Sequence, residues 1–111
     1  MAVNKYHAKQ TIVDGITFAS NRESVRYIEL RNMKLVGMIK SLSLQPEFIL
    51  QEGYRRKDGK KIRAIKYIAD FKVEYMDGHI EIEDSKGMET NVFKIKRKIL
   101  EAKYDLILKI V

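Results

Sequence analysis

Two apolar runs joined at Asp77-Gly78 constrain this chain more than any other feature. Residues 67–75 (Tyr-Ile-Ala-Asp-Phe-Lys-Val-Glu-Tyr) and 80–87 (Ile-Glu-Ile-Glu-Asp-Ser-Lys-Gly) alternate in polarity. Side chains with a period of two line opposite faces of a sheet, so both runs read as strands. Asp-Gly between such runs is a hairpin signal.

The same hairpin carries Asp70 on one strand and Asp84-x-Lys86 on the other. Neighbouring carboxylates repel and call for a cation; Mg²⁺ takes oxygen ligands while keeping several waters. A cation held there polarises a phosphoryl oxygen and acidifies a bound water. Lys86 adds positive charge beside the second acid. This pattern fits phosphodiester hydrolysis, with Mn²⁺ as a second candidate metal.

Strand alternation poses a difficulty for this site. Tyr67, Ala69, Phe71, Val73 and Tyr75 share one face, so Asp70 points the other way with Lys72 and Glu74, while Asp84 and Lys86 continue the face of Ile80 and Ile82. A two-residue turn at Asp77-Gly78 would set Asp70 opposite Ser85, on the wrong side from Asp84. A three-residue turn with Gly78 in the left-handed region would set Asp70 opposite Lys86, and a bulge near Asp70 would serve equally. The site therefore requires one of these irregularities. A buried ion pair of Lys86 with Asp84 or Asp70 is the non-catalytic reading of the same residues. Glu83, expected on the solvent side, is a rival second ligand.

The rest of the chain reads in the order α-β-β-β-α-β. Residues 1–11 form a basic N-terminal arm, and 12–111 make one domain, since 111 residues support a single core. Ser20 reads as the N-cap of a first helix and Glu23 as its capping-box partner, with Val25, Ile28, Asn32, Met33 and Val36 near one face and Gly37 as terminator. Residues 39–50 turn β-like, with Pro46 marking an edge or a bulge. Lys57-Asp58-Gly59-Lys60 is a turn before a long strand from about 61 to 75. A second helix spans 90–104, with Val92, Ile95, Ile99, Leu100 and Lys103 or Tyr104 recurring at a helical period. The hydrophobic run 106–111 suits a buried strand.

The chain has no cysteine, which excludes disulfides and thiolate metal sites. His7 and His79 lack partners at ligand spacing, which argues against zinc. The longest apolar runs are far shorter than a membrane span and no signal-peptide core is visible, so a soluble, cytoplasmic protein without a membrane partner is expected. The formal charge of +7 favours a polyanionic partner. Its positive residues cluster at Arg55, Arg56, Lys57, Lys60, Lys61 and Arg63, and again at Lys94 and Lys98, one helical turn apart.

These features together resemble the PD-(D/E)xK nuclease superfamily of restriction enzymes and Holliday-junction resolvases. More narrowly, the chain is similar to a family of small phage-borne proteins grouped as a domain of unknown function. The resemblance runs through Asn4-Lys5-Tyr6, residues 14–20 with Glu23, residues 44–48 around Gln45-Pro46, Tyr67-Ile68-Ala69-Asp70-Phe71 and Glu83-Asp84-Ser85-Lys86-Gly87. The same segments resemble the endonuclease subunit of TnsA-type transposases. Asp84 departs from the pattern, because that position most often holds Glu.

The resemblance implies a restriction-endonuclease-like αβββαβ core with a mixed sheet flanked by helices. It implies a Mg²⁺-dependent endonuclease of phage or mobile-element DNA metabolism, acting in a bacterial host cell. Asp70, Asp84 and the Ser85 carbonyl would hold the metal, Lys86 would orient or activate water, and Glu23 would complete the site. Glu23 equally satisfies the capping box, a role that needs no chemistry. So small a core has little loop to spare for reading bases, so branched DNA is the expected substrate. Cutting both strands would favour a homodimer. The competing expectation is a non-catalytic basic module that keeps the fold and binds nucleic acid.

Overall fold

A computed structural model describes residues 10–111. The expected N-terminal arm, Asn4-Lys5-Tyr6 and His7 lie outside these residues, apart from Gln10, which is exposed, and Thr11, which opens the first strand. The elements are β1 (Thr11–Val13), β2 (Ile16–Phe18), α1 (Asn21–Leu35), β3 (Ile39–Leu44), β4 (Glu47–Gln51), β5 (Tyr54–Arg55), β6 (Lys61–Ile62), β7 (Ile65–Ile68), β8 (Phe71–Tyr75), β9 (Ile80–Asp84), α2 (Asn91–Tyr104) and β10 (Leu108–Ile110). The class is mixed α/β: two helices with a mixed sheet of order β10-β9-β8-β3. β10 runs parallel to β9, while the β8–β9 hairpin turns the chain back on itself.

The chain divides into two compact units, one comprising residues up to Leu42 together with Glu74–His79, the other Ser43–Val73 with Ile80–Val111. In the first, β1 and β2 pair antiparallel. Ser20 caps α1 as expected, its hydroxyl accepting from the Glu23 N–H at 3.2 Å. Asp14 in the β1–β2 turn accepts from Tyr27 at 2.9 Å and Arg31 at 3.0 Å, tying that turn to α1. Those two donors hold the Asp14 carboxyl below its usual range, Arg31 foremost. The buried face of α1 is Ser24, Tyr27 and Leu30 rather than the expected stripe, and Val25 and Val36 are exposed. Tyr27 was chosen by its ring contact with Phe18, centroids 5.0 Å apart, which a one-helix pattern does not contain.

In the second unit the long strands expected from the sequence are each interrupted. β3 and β4 part at Gln45-Pro46, where Gln45 has a φ of 52°. β7 and β8 part at Ala69-Asp70. The breaks face each other: Gln45 N–H donates to Asp70 O at 2.9 Å and Ala69 N–H to Pro46 O at 3.1 Å. The ladder thus carries on through β4–β7, where Glu47 faces Ile68 and Phe48 faces Tyr67.

Leu50, Tyr67, Ala69, Ile82, Phe93, Leu100 and Leu108 form the core of this unit. α2 carries two apolar stripes, and the one selected is Phe93 and Leu100, not Val92, Ile95 and Ile99, which are exposed. The first stripe wins because Phe93 meets Tyr67, ring centroids 6.2 Å apart, and Arg97 between its members donates to Leu108 O at 2.8 Å. Ile107 is likewise exposed, so only Leu108 of the final apolar run is fully buried.

The two stripes give opposite stability outcomes. Leu100→Ala should cost about 2–5 kcal/mol by leaving a cavity in the core. Ile95→Ala on the exposed stripe should stay within about 0.5 kcal/mol. Chemical denaturation of the two variants checks the assignment.

Candidate active site

The β8–β9 turn is three residues long, with Gly78 at φ 91°, a conformation that favours glycine because no Cβ is present to clash. Tyr75 N–H donates to His79 O at 2.9 Å and Gly78 N–H to Tyr75 O at 3.0 Å. The turn therefore comprises Met76, Asp77 and Gly78, one residue earlier than the version that would set Asp70 opposite Lys86. Stepping four residues along each strand from Tyr75 and His79 brings Phe71 opposite Glu83. Yet it is Asp70 whose N–H reaches Glu83 O, at 3.1 Å. The register thus slips by one residue between the turn and Asp70, as it does at a bulge.

The turn's count already sets Asp70 across from Asp84 on one face, and the slip displaces Asp70 by one position from there. Its carboxylate Oδ2 accepts from the Ser85 N–H at 2.7 Å, across from the end of β9. Asp84 ends β9 and is 2% exposed. Its backbone carbonyl accepts from Val111 N–H at 3.0 Å, so β10 pins the residue in place. Asp84 Oδ2 accepts a hydrogen bond from the Tyr67 hydroxyl and lies 3.5 Å from Lys86 Nζ. The Lys86 ammonium also sits over the Phe93 ring, 4.9 Å from its centroid. Asp70, Asp84, Ser85 and Lys86 are thereby brought together.

Tyr67 is the residue that sequence reasoning missed, having been placed simply on an apolar face. Burial pushes its phenol far above the usual range; the hydrogen bond to Asp84 and the negative charges of Asp84 and Asp70 push it further. Both acids therefore bear on one hydroxyl. The available signal was general: a buried tyrosine needs a partner for its hydroxyl, and the acids on the neighbouring strand were the candidates.

Glu83 requires a correction. Expected to face solvent as a rival ligand, it is fully buried, because this end of β9 is covered on both faces. β10 sets Lys109 opposite it, with Nζ 4.0 Å from Glu83 Oε2. Glu23 stands at the first turn of α1, in the other unit, where its N–H is bound by Ser20. Gln45 is exposed at the break opposite Asp70. Lys94 and Lys98 are both exposed on α2.

The candidate ligand atoms around this point are oxygens: the carboxylates of Asp70 and Asp84, and the hydroxyl and carbonyl of Ser85. Ser85 Oγ is buried and has no hydrogen-bond partner. Among the described residues no group of three or more His, Asp or Glu stands at metal-binding spacing. Two carboxylates with an orphaned hydroxyl fit a hard cation that keeps its own waters, which is the coordination habit of Mg²⁺.

A family model described as "Protein of unknown function (DUF1064)" matches residues 3–110, and the chain belongs to that family. No curated protein matches the chain, and no solved structure does. Among the described residues no helix is long and apolar enough to cross a membrane.

Tyr67→Phe keeps the ring and removes only the donor. It should destabilise the fold by about 1–3 kcal/mol, since a buried acceptor loses its partner. The sign of its pH effect follows from linkage. The folded state holds the phenolic proton to higher pH than the unfolded chain, whose tyrosine titrates near about 10. Stability from this group is full below that pH and falls as pH rises beyond it. Thermal unfolding between neutral pH and pH about 11 should show that decline in the wild type and a shallower one in Tyr67→Phe.

Proposed function

We propose that this protein is a Mg²⁺-dependent DNA endonuclease of the PD-(D/E)xK type. The observation that carries the reading is the meeting of these groups at the end of β9: Asp70 bonds the Ser85 N–H, Lys86 lies beside Asp84, and the Ser85 hydroxyl between those two residues in the chain is orphaned. The connectivity supports it as well. With the broken strands β3–β4 and β7–β8 each counted once and the separate β5–β6 pair set aside, α1 is followed by three strands, α2 and a strand parallel to the third. That order agrees with the αβββαβ core that the resemblance implies.

Asp70 and Asp84 would hold the cation, with Ser85 contributing an oxygen. When bound, Mg²⁺ supplies an acidified water and charge stabilisation at a phosphoryl group. Tyr67 fixes the Asp84 carboxylate by binding one of its oxygens, so the plane of the group cannot turn freely. Lys86 sits on the same oxygen but remains one-third exposed, at 32%, and is long for a locked ion pair. Its ammonium rests over Phe93, from where it would face a water or a scissile phosphate at the cation.

Duplex or branched DNA is the substrate class that the basic surface suits, with Lys94 and Lys98 on α2 and the 55–63 segment neutralising phosphates. A second copy of the chain would supply the second cut of a duplex. The non-catalytic alternative rests on one observation: Asp84 already has a donor and a cation beside it, so the cluster is self-satisfied without chemistry.

Asp84→Asn separates the two. Cleavage of branched or linear DNA in Mg²⁺ should fall by about 10²-fold or more, because the cation loses a charged ligand. DNA affinity in EDTA should hold or tighten. If the cluster is purely structural, the wild type cuts nothing in any metal and the variant loses about 3–5 kcal/mol of stability.

A further inference from the structure

The segment between β4 and β7 is more than a connecting loop. β5 and β6 pair antiparallel, with Tyr54 opposite Ile62 and Arg55 opposite Lys61. Arg56 N–H donates to Lys60 O at 2.8 Å, extending the ladder by one pair, and Gly59 N–H closes the tip on Arg56 O at 2.9 Å. Every residue from Gln51 to Lys61 is exposed. At the base, a Cβ on Gly53 would meet Ile62 O at 2.9 Å, so the two backbones cross at a distance that glycine alone permits. The result is a short, two-stranded ribbon standing clear of the core of its unit.

Its charge is unusual for a ribbon. Six of the ten residues from Tyr54 to Arg63 are Arg or Lys and one is acidic, so five of the chain's net seven positive charges lie here. Successive cross-strand pairs point to opposite faces. Arg55 and Lys61 therefore occupy one face, and Arg56 and Lys60 the other. Like charges directly opposite each other destabilise a sheet, and here two such pairs follow in succession. Internal contacts relieve only the arginines: Arg56 meets Asp58 at 2.9 Å, and Arg55 donates to Gly59 O at 2.8 Å. Asp58 also accepts from the Lys60 backbone N–H at 3.1 Å, and neither lysine's ammonium takes part in these bonds. A local arrangement that works against its own stability points to a use outside the fold.

We propose that this ribbon enters the major groove of B-form duplex DNA, its two charged faces meeting the phosphates on the two sides. A flat phosphate surface would need charge on one face only; a groove has walls on both. The major groove is about 12 Å wide and admits a two-stranded ribbon. The major groove of A-form RNA is deep and narrow and does not. Tyr54, half exposed beneath the tip, is placed to pack on the sugar edge of the groove. The proposal rests on the DNA reading above and names the element that makes it.

The test is carried out on the full chain in EDTA, so that binding is read without cleavage. Wild-type protein should protect guanine N7, a major-groove atom, from methylation in a short DNA duplex, and should bind the matching RNA duplex more weakly. Lys60→Ala with Lys61→Ala should abolish that protection, weaken DNA affinity about tenfold or more, and lower the salt slope by about two. The melting temperature of this variant should be unchanged or higher, since two like-charge pairs are relieved, which excludes misfolding as the cause. Equal binding of DNA and RNA duplexes, N7 protection that survives the double substitution, or no duplex binding at all would overturn the proposal. Cleavage in Mg²⁺ without N7 protection removes the ribbon and leaves the nuclease reading. N7 protection without cleavage in any metal does the reverse.

Discussion

A carboxylate that is almost wholly shielded from water is the constraint around which this protein is arranged. Asp84 is 2% exposed, and a charge in that position is costly unless it is bonded or paired. Each neighbour answers that cost. Tyr67 comes from β7, Lys86 from two residues downstream, and the backbone N–H of Val111 fixes the strand end behind it. Asp70 adds a second acid to a place that already holds one. The chemistry proposed for the site starts from these two acids and the lysine beside one of them.

Much of this was legible in the chain because it depends on local signals. The Asp77-Gly78 turn, the Ser20 cap and the mixed α/β class follow from turn chemistry, capping and alternation, and the structure has all three. The need for an irregularity beside Asp70 was also visible, since strict alternation sends Asp70 and Asp84 to different sides. Which irregularity occurs was not. The three-residue turn falls one residue earlier than the version that pairs Asp70 with Lys86, and by the same count sets Asp70 across from Asp84, on one face, beside the strand break where Gln45-Pro46 meets Ala69-Asp70.

What stayed hidden depends on tertiary partners. Val92, Ile95 and Ile99 make as good a helical stripe as Phe93 and Leu100, and nothing inside α2 distinguishes them. The decision comes from Tyr67 and Leu108, both remote in sequence. Glu83 followed the alternation to solvent on paper, yet it is enclosed because β10 covers β9 and brings Lys109 alongside. Tyr67 escaped notice for a related reason: its hydroxyl acquires meaning only when β9 lies beside it. Side chains whose roles arise between elements are the ones that a single sequence leaves open.

The central claim is that Asp70 and Asp84 jointly hold a hard cation, and calorimetric titration of Mg²⁺ or Mn²⁺ into the metal-free protein addresses it most directly. The account predicts one saturable site per chain, lost in Asp70→Asn while the variant remains folded by circular dichroism. Absence of binding in the wild type, or binding that survives Asp70→Asn unchanged, would contradict it.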